Sequence, residues 1–215
     1  MDTNVSALVE AICKEIENSK SSSSSNKIPV GISNRHIHLC REHIDILFGK
    51  DYKLNVLREL SQPGQYACKE TLTIAGPSLK VIENVRILGP ERKVSQVEIS
   101  KTDSFILKVK PPVRESGDIE GSEAVVIIGP KGVVKLDEGC IIANRHIHMS
   151  REDGEKFGVA DGSYVTVDAN SGTRRTRLFD VQVRVSEAFR LELHLDTDDA
   201  NAAGLSNGST VEIVK

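Results

Sequence analysis

The chain has 215 residues, enough for one large domain or two small ones, each able to bury its own core. Hydrophobic residues make up 39% and charged residues 27%, and no apolar run approaches the roughly 20 residues that a membrane-spanning helix needs. A formal net charge of −3, no Trp and 4% aromatics argue against nucleic acid or a membrane surface as partner.

Residues 1–19 have an amphipathic helical pattern, with Val5, Leu8, Val9, Ile12, Cys13 and Ile16 at steps of three and four. A serine tract follows, broken only by Lys20, and reads as a flexible linker. A single tethered helix cannot bury its apolar face alone, so it docks on its own domain, a sister chain or another protein. From Ile28 onward, short β-branched runs alternate with turn signals such as Pro63-Gly64, Gly89-Pro90 and Asn207-Gly208. Strands are expected at 72–74, 81–88, 94–99, 105–109, 124–128, 133–136, 164–167, 176–185, 191–195 and 210–214. Helices are expected only at 41–48 and 151–157. The fold class is therefore mainly β, as barrels or a sandwich with short helices near the site. The four cysteines (Cys13, Cys40, Cys68 and Cys140) form no CxxC pair, which suits free thiols in a reducing, cytoplasmic setting.

One segment occurs twice: 32–41 (ISNRHIHLCR) aligns without a gap on 142–151 (IANRHIHMSR). The chain accordingly reads as an amphipathic helix and linker over 1–27 and two related halves, 28–115 and 116–215, about a pseudo-two-fold axis. Extending the alignment places Gln96–Ser100 over Glu192–Asp196, with Glu98 and His194 equivalent.

In an extended segment, residues i and i+2 share a face, so each HIH offers two imidazoles side by side. Adding the aligned third residue gives two sets of three donors, His36, His38, Glu98 and His146, His148, His194. Three nitrogen or oxygen donors with an open position suit catalytic zinc best, with iron, cobalt or nickel as alternatives. The sixth histidine, His43, has Asp153 at its repeat position and reads as an exposed helix residue; Cys40 reads as a buried filler. Such a metal site also fits a thioester or phosphoester hydrolase, or a structural pin.

The NRHIH pair, the stretch Leu60-Ser61-Gln62-Pro63-Gly64-Gln65-Tyr66-Ala67, the run from Ile82 to Arg92 and the sequence around Gln96–Ser100 together resemble the zinc-dependent PduL-type phosphate propanoyltransferases. The resemblance implies two β-barrel domains and conversion of acyl-CoA (propanoyl or acetyl) and phosphate to acyl phosphate and CoA at two zinc ions. It implies the same six metal ligands, Arg92 on phosphate, and Ser33, Asn34, Lys80, Arg86, Leu88 and Asn201 along the coenzyme A path. Lys80 is displaced relative to the family's Gly-Pro-Lys-Gly, since the chain reads Gly76-Pro77-Ser78-Leu79-Lys80. Residues 1–27 resemble an encapsulation peptide, so a bacterial microcompartment lumen and contact of residues 1–20 with shell or core proteins are expected, together with a homo-oligomeric state.

Overall fold

The computed structural model describes residues 26–214; the expected N-terminal helix and serine tract lie outside them. The described strands are β1 (Lys27–Ser33), β2 (His36–His38), β3 (Val56–Glu59), β4 (Tyr66–Ala75), β5 (Val81–Gly89), β6 (Gln96–Glu98) and β7 (Val113–Arg114). They continue with β8 (Glu123–Ile128), β9 (Val133–Ala143), β10 (His146–Met149), β11 (Tyr164–Ala169), β12 (Thr176–Val185), β13 (Glu192–Asp196) and β14 (Thr210–Ile213). Four short helices interrupt them: α1 (Arg41–Phe48), α2 (Lys101–Leu107), α3 (Arg151–Phe157) and α4 (Thr197–Ala203).

The strands close into two six-stranded barrels. The first runs β2-β5-β4-β8-β9-β6 and back to β2. The second runs β1-β13-β10-β12-β11-β14. Their pairing patterns match: each HIH strand lies parallel to one long strand (β5 or β12) and antiparallel to a short one (β6 or β13).

Barrel membership does not follow the boundary expected at 115/116. The strand entering each HIH segment belongs to the opposite barrel: β1 pairs with β13 and β14, and β9 pairs with β6 and β8. The first half thus gives β1 to the second barrel, and the second half gives β8 and β9 to the first. Asn34-Arg35 and Asn144-Arg145 are the crossing points, which sets both HIH strands at the junction of the barrels.

Each barrel has an aliphatic core, as the scarcity of aromatics requires. Ile37 and Ile147 are both fully buried within these cores. Strand alternation turns the flanking histidines to the opposite face. Truncating either isoleucine to Ala would cost about 2–5 kcal/mol and loosen the strand that carries the histidines.

Two helices were not legible as such. Residues 105–109, expected as strand, are helical as far as Leu107, because Ser100 and Asp103 form a reciprocal capping box that starts α2. Lys108, in the left-handed region at φ 59°, ends it. Helix α4 starts on Asp196, whose side chain accepts from the Asp199 N–H, and stops at left-handed Gly204. Both helices directly follow the strands bearing Glu98 and His194, so helix initiation fixes where those strands end.

Candidate active site

The repeated NRHIH segment has a separable job for most of its residues. The Asn34 and Asn144 carbonyls lie 2.8 Å from Nδ1 of His36 and His146 respectively. A carbonyl only accepts, so each Nδ1 carries the proton and, in the neutral ring, each Nε2 is left bare. The arginines tie the crossing points down. Arg35 Nε donates to Asp103 Oδ2 at 2.9 Å, and its Nη2 lies 2.7 Å from Oδ1. Arg145 Nε lies 3.2 Å from Asp199 Oδ2. Asp103 and Asp199 sit in the first turns of α2 and α4, so each arginine links its HIH segment to the helix after the third donor.

Cα registry brings the donors together. His36 faces Glu98, and His146 faces His194. Within each set of three, potential ligand atoms lie within 4.8 Å of one another. His36 Nε2 is 3.4 Å and His38 Nε2 3.8 Å from the Glu98 carboxylate. The His38 Nδ1 donates to the Leu88 carbonyl at 3.2 Å, which orients that ring as well. In the second set, His194 Nε2 meets Glu192 Oε2 at 2.7 Å, leaving its Nδ1 as the donor atom. Glu192 is in turn held by the Ser61 hydroxyl and by Gln62 Nε2. Gly31 makes room for it, since a Cβ there would lie 2.7 Å from Glu192 Oε1.

Three observations test whether these sets suit a metal. Both ring nitrogens of His148 are buried without a hydrogen-bond partner, a costly state unless a ligand takes one of them. Its ring is stacked on Phe189 with centroids 4.1 Å apart, which fixes its plane. The rings are also poised as neutral donors: burial, reinforced by neighbouring rings, lowers the pKa of His146 to about 4 and of His148 to about 2. Burial with the His36 charge lowers His38 to about 3. His36 differs. Burial acts to lower its pKa, but the Glu98 charge and hydrogen bond, with the Asn34 carbonyl, outweigh that and raise it. The Glu98 carboxyl is held far below the usual carboxylate range by His36, against the effect of its burial. The donor types and their spacing fit two divalent ions, one set carrying a carboxylate and the other all imidazole.

Both sets line one cavity of about 830 Å³. Ser33, Asn34, Arg86, Leu88 and Arg92 also line it. Lys80 and Asn201 do not. Lys80 sits in the exposed turn between β4 and β5, and Asn201 is exposed on α4. Arg86 is tied to the Cys68 and Lys69 carbonyls at 3.0 and 2.7 Å. His43 is half-buried rather than exposed, with Nδ1 2.7 Å from the buried Ser95 hydroxyl, and Cys40 is half-buried rather than buried.

A network of residues around the site escaped sequence reasoning. Ser116 Oγ accepts from Arg92 Nη1 at 3.1 Å and Gln96 Nε2 at 3.0 Å, and donates to Glu98 Oε1 at 2.7 Å. Gln96 donates to the same Glu98 oxygen at 2.6 Å. Glu115, next in the chain, reaches into the second barrel, where it pairs with Arg184 Nε at 3.0 Å and accepts from Gln182 Nε2 at 3.0 Å. The neighbours Glu115 and Ser116 thus each hold one arginine of the cavity, Arg184 and Arg92.

Fold and site together define a two-barrel protein with paired three-residue donor sets facing a shared cavity. Residues 29–206 match the family model described as phosphate propanoyltransferase. A Thermotoga maritima protein of that name is 57% identical over 188 residues, covering 87% of this chain and 89% of the relative. One from Lachnoclostridium phytofermentans is 47% identical over 213 residues, covering 99% of each. A third, from Priestia megaterium, is 47% identical over 206 residues, covering 96% of this chain and 93% of the relative. The chain belongs to the phosphate propanoyltransferase family and is an acyltransferase enzyme. Among the described residues, no helix is long and apolar enough to cross a membrane.

Proposed function

We propose that the cavity between the barrels transfers an acyl group from acyl-CoA, propanoyl or acetyl, to inorganic phosphate, releasing CoA and acyl phosphate. The observation that carries this reading is one cavity lined by two three-donor sets and by the half-buried Arg92. Zinc is the metal assigned, one ion on His36, His38 and Glu98 and one on His146, His148 and His194. Bound there, the ions supply Lewis-acid polarisation of the thioester carbonyl and stabilise negative charge on the departing sulfur.

The chain's own groups set the geometry. Arg92, braced by Ser116 and close to Glu98, presents its remaining N–H donors to phosphate and orients it for attack. A phosphate oxygen bonds to the thioester carbon, the carbon–sulfur bond breaks, and the sulfur leaves with the electron pair. Ser33, Asn34, Arg86 and Leu88 flank the path of the coenzyme. Among the described residues, no serine of the cavity bonds a histidine ring and no cysteine lines it, which favours direct transfer over an acyl-enzyme. Residues 1–20 are assigned to docking on microcompartment shell or core proteins, which places the enzyme in a cytoplasmic microcompartment as a homo-oligomer; the amphipathic pattern supports this.

Trapping the product with hydroxylamine tests the reaction. Propanoyl-CoA with phosphate should yield the hydroxamate of an acyl phosphate. Free propanoate with no trapped product would define a thioester hydrolase instead.

A further inference from the structure

Arg184 lies on β12 as the registered neighbour of His148 on β10, and side chains at registered positions on adjacent strands share a face. That face is the cavity, which both residues line. In the first barrel, β5 runs beside β2 in the same way, and Leu88 stands beside His38. The second barrel therefore carries a guanidinium where the first carries an apolar side chain.

The Arg184 side chain is restrained without being used up. Its Nε is held by Glu115 at 3.0 Å, and its guanidinium carbon lies 5.8 Å from the centre of the Phe189 ring. Among the described residues neither Nη group has a protein acceptor, so four N–H donors remain beside the donor sets. The ion pair itself is partly open to solvent, with Arg184 24% and Glu115 43% exposed, so it adds little to stability. Arg92, braced by Ser116, lines the same cavity, near enough for the two like charges to disfavour each other. Two guanidiniums converging on one cavity at an electrostatic cost call for an anion between them.

We propose that Arg184 is a second phosphate-binding residue, sharing the cavity with Arg92, with Glu115 as the residue that positions it. This rests on the phosphate acyltransferase reading and extends it: the phosphoryl group is gripped from both barrels. Glu115 and Ser116 are adjacent, so a single turn of chain sets the spacing between the two grips.

The test uses the metal-loaded full chain, propanoyl-CoA and inorganic phosphate, with variants compared at wild-type metal content. Arg184→Gln should raise the KM for phosphate about 10- to 100-fold, the loss expected for charge-assisted hydrogen bonds, and leave the KM for propanoyl-CoA within about twofold. Arg184→Lys should fall between, because it keeps the charge and loses the fork. Glu115→Ala should move the phosphate KM in the same direction. The double variant should be no worse than Arg184→Gln alone, a non-additivity that general loosening of the fold would not produce. An unchanged phosphate KM in Arg184→Gln overturns the proposal, as does a rise confined to the KM for propanoyl-CoA, which would place this guanidinium on the coenzyme's phosphates. Calorimetry with inorganic phosphate alone separates this from the reaction assignment. If wild type releases CoA without needing phosphate, the acyltransferase reading fails. Weaker phosphate binding by Arg184→Gln than by wild type would still uphold the anion site, and equal binding would overturn it.

Discussion

Glu98 and His194 hold the same position in the two barrels: Glu98 is registered against His36, and His194 against His146. Their outer neighbours agree as well, since Glu98 pairs with Ile141 and His194 with Gly31, the residues that immediately precede the two aligned segments. One position thus carries a carboxylate in one half and an imidazole in the other, giving two unequal half-sites.

Metal content should report this directly. Glu98→Gln and His194→Gln should each reduce bound zinc from about two ions per chain to about one, because two remaining donors hold zinc poorly. Elemental analysis after gel filtration checks it. Retention of both ions in either variant would remove that residue from the ligand set.

Arg92→Ala should lower turnover by about 10²–10⁴, the range seen when a group stabilising transition-state charge is removed. Ser116→Ala should cost less, about tenfold, because it frees Arg92 and takes one of two neutral donors from Glu98. Steady-state kinetics at saturating phosphate measure both, and wild-type turnover in Arg92→Ala would contradict its role.

The donor sets were legible because strand alternation and a repeated segment are local or alignable properties: His36 and His38 must share a face once the strand forms, and Glu98 follows from register. The passage of β1 into the second barrel, and of β8 and β9 into the first, was not legible. It depends on which barrel the chain enters at Asn34 and Asn144, and nothing in the hydrophobic pattern marks that choice. Arg184 was hidden for a related reason. In an alternating strand it looks like any solvent-facing polar residue, and only the arrival of Glu115 from a distant loop gives it a fixed place. Helix α2 was misread because Phe105, Ile106 and Leu107 suggested a strand, while the capping box at Ser100 and Asp103 decided otherwise.

The paired arginines should differ in their effect on stability. Asp103 is fully buried, so Arg35→Ala leaves a buried carboxylate with only its capping partner and should cost about 2 kcal/mol. Arg145 and Asp199 are 32% and 29% exposed, so Arg145→Ala should cost under about 1 kcal/mol. Urea unfolding of the two variants compares them, and equal losses would contradict the difference in burial as its cause.

Alkaline stability should depend on a core thiol that does not line the cavity. Burial, with Glu123 and Asp103 nearby, raises the Cys140 pKa from 9.0 to about 12. The folded chain therefore keeps a proton that the unfolded chain sheds near pH 9. The stability this contributes is present below pH 9 and is lost as pH climbs towards about 12. Cys140→Ala should flatten the fall of unfolding free energy between pH 8 and about 10.5. An unchanged slope would assign the alkaline loss to other groups.

The central claim is that the six donors and Arg92 form one site that passes an acyl group to phosphate. Thiol release from propanoyl-CoA, followed with and without phosphate on metal-analysed protein, tests it most directly. The account predicts release that requires phosphate, disappears on chelation and returns with zinc; release at full rate without phosphate or without metal would contradict it.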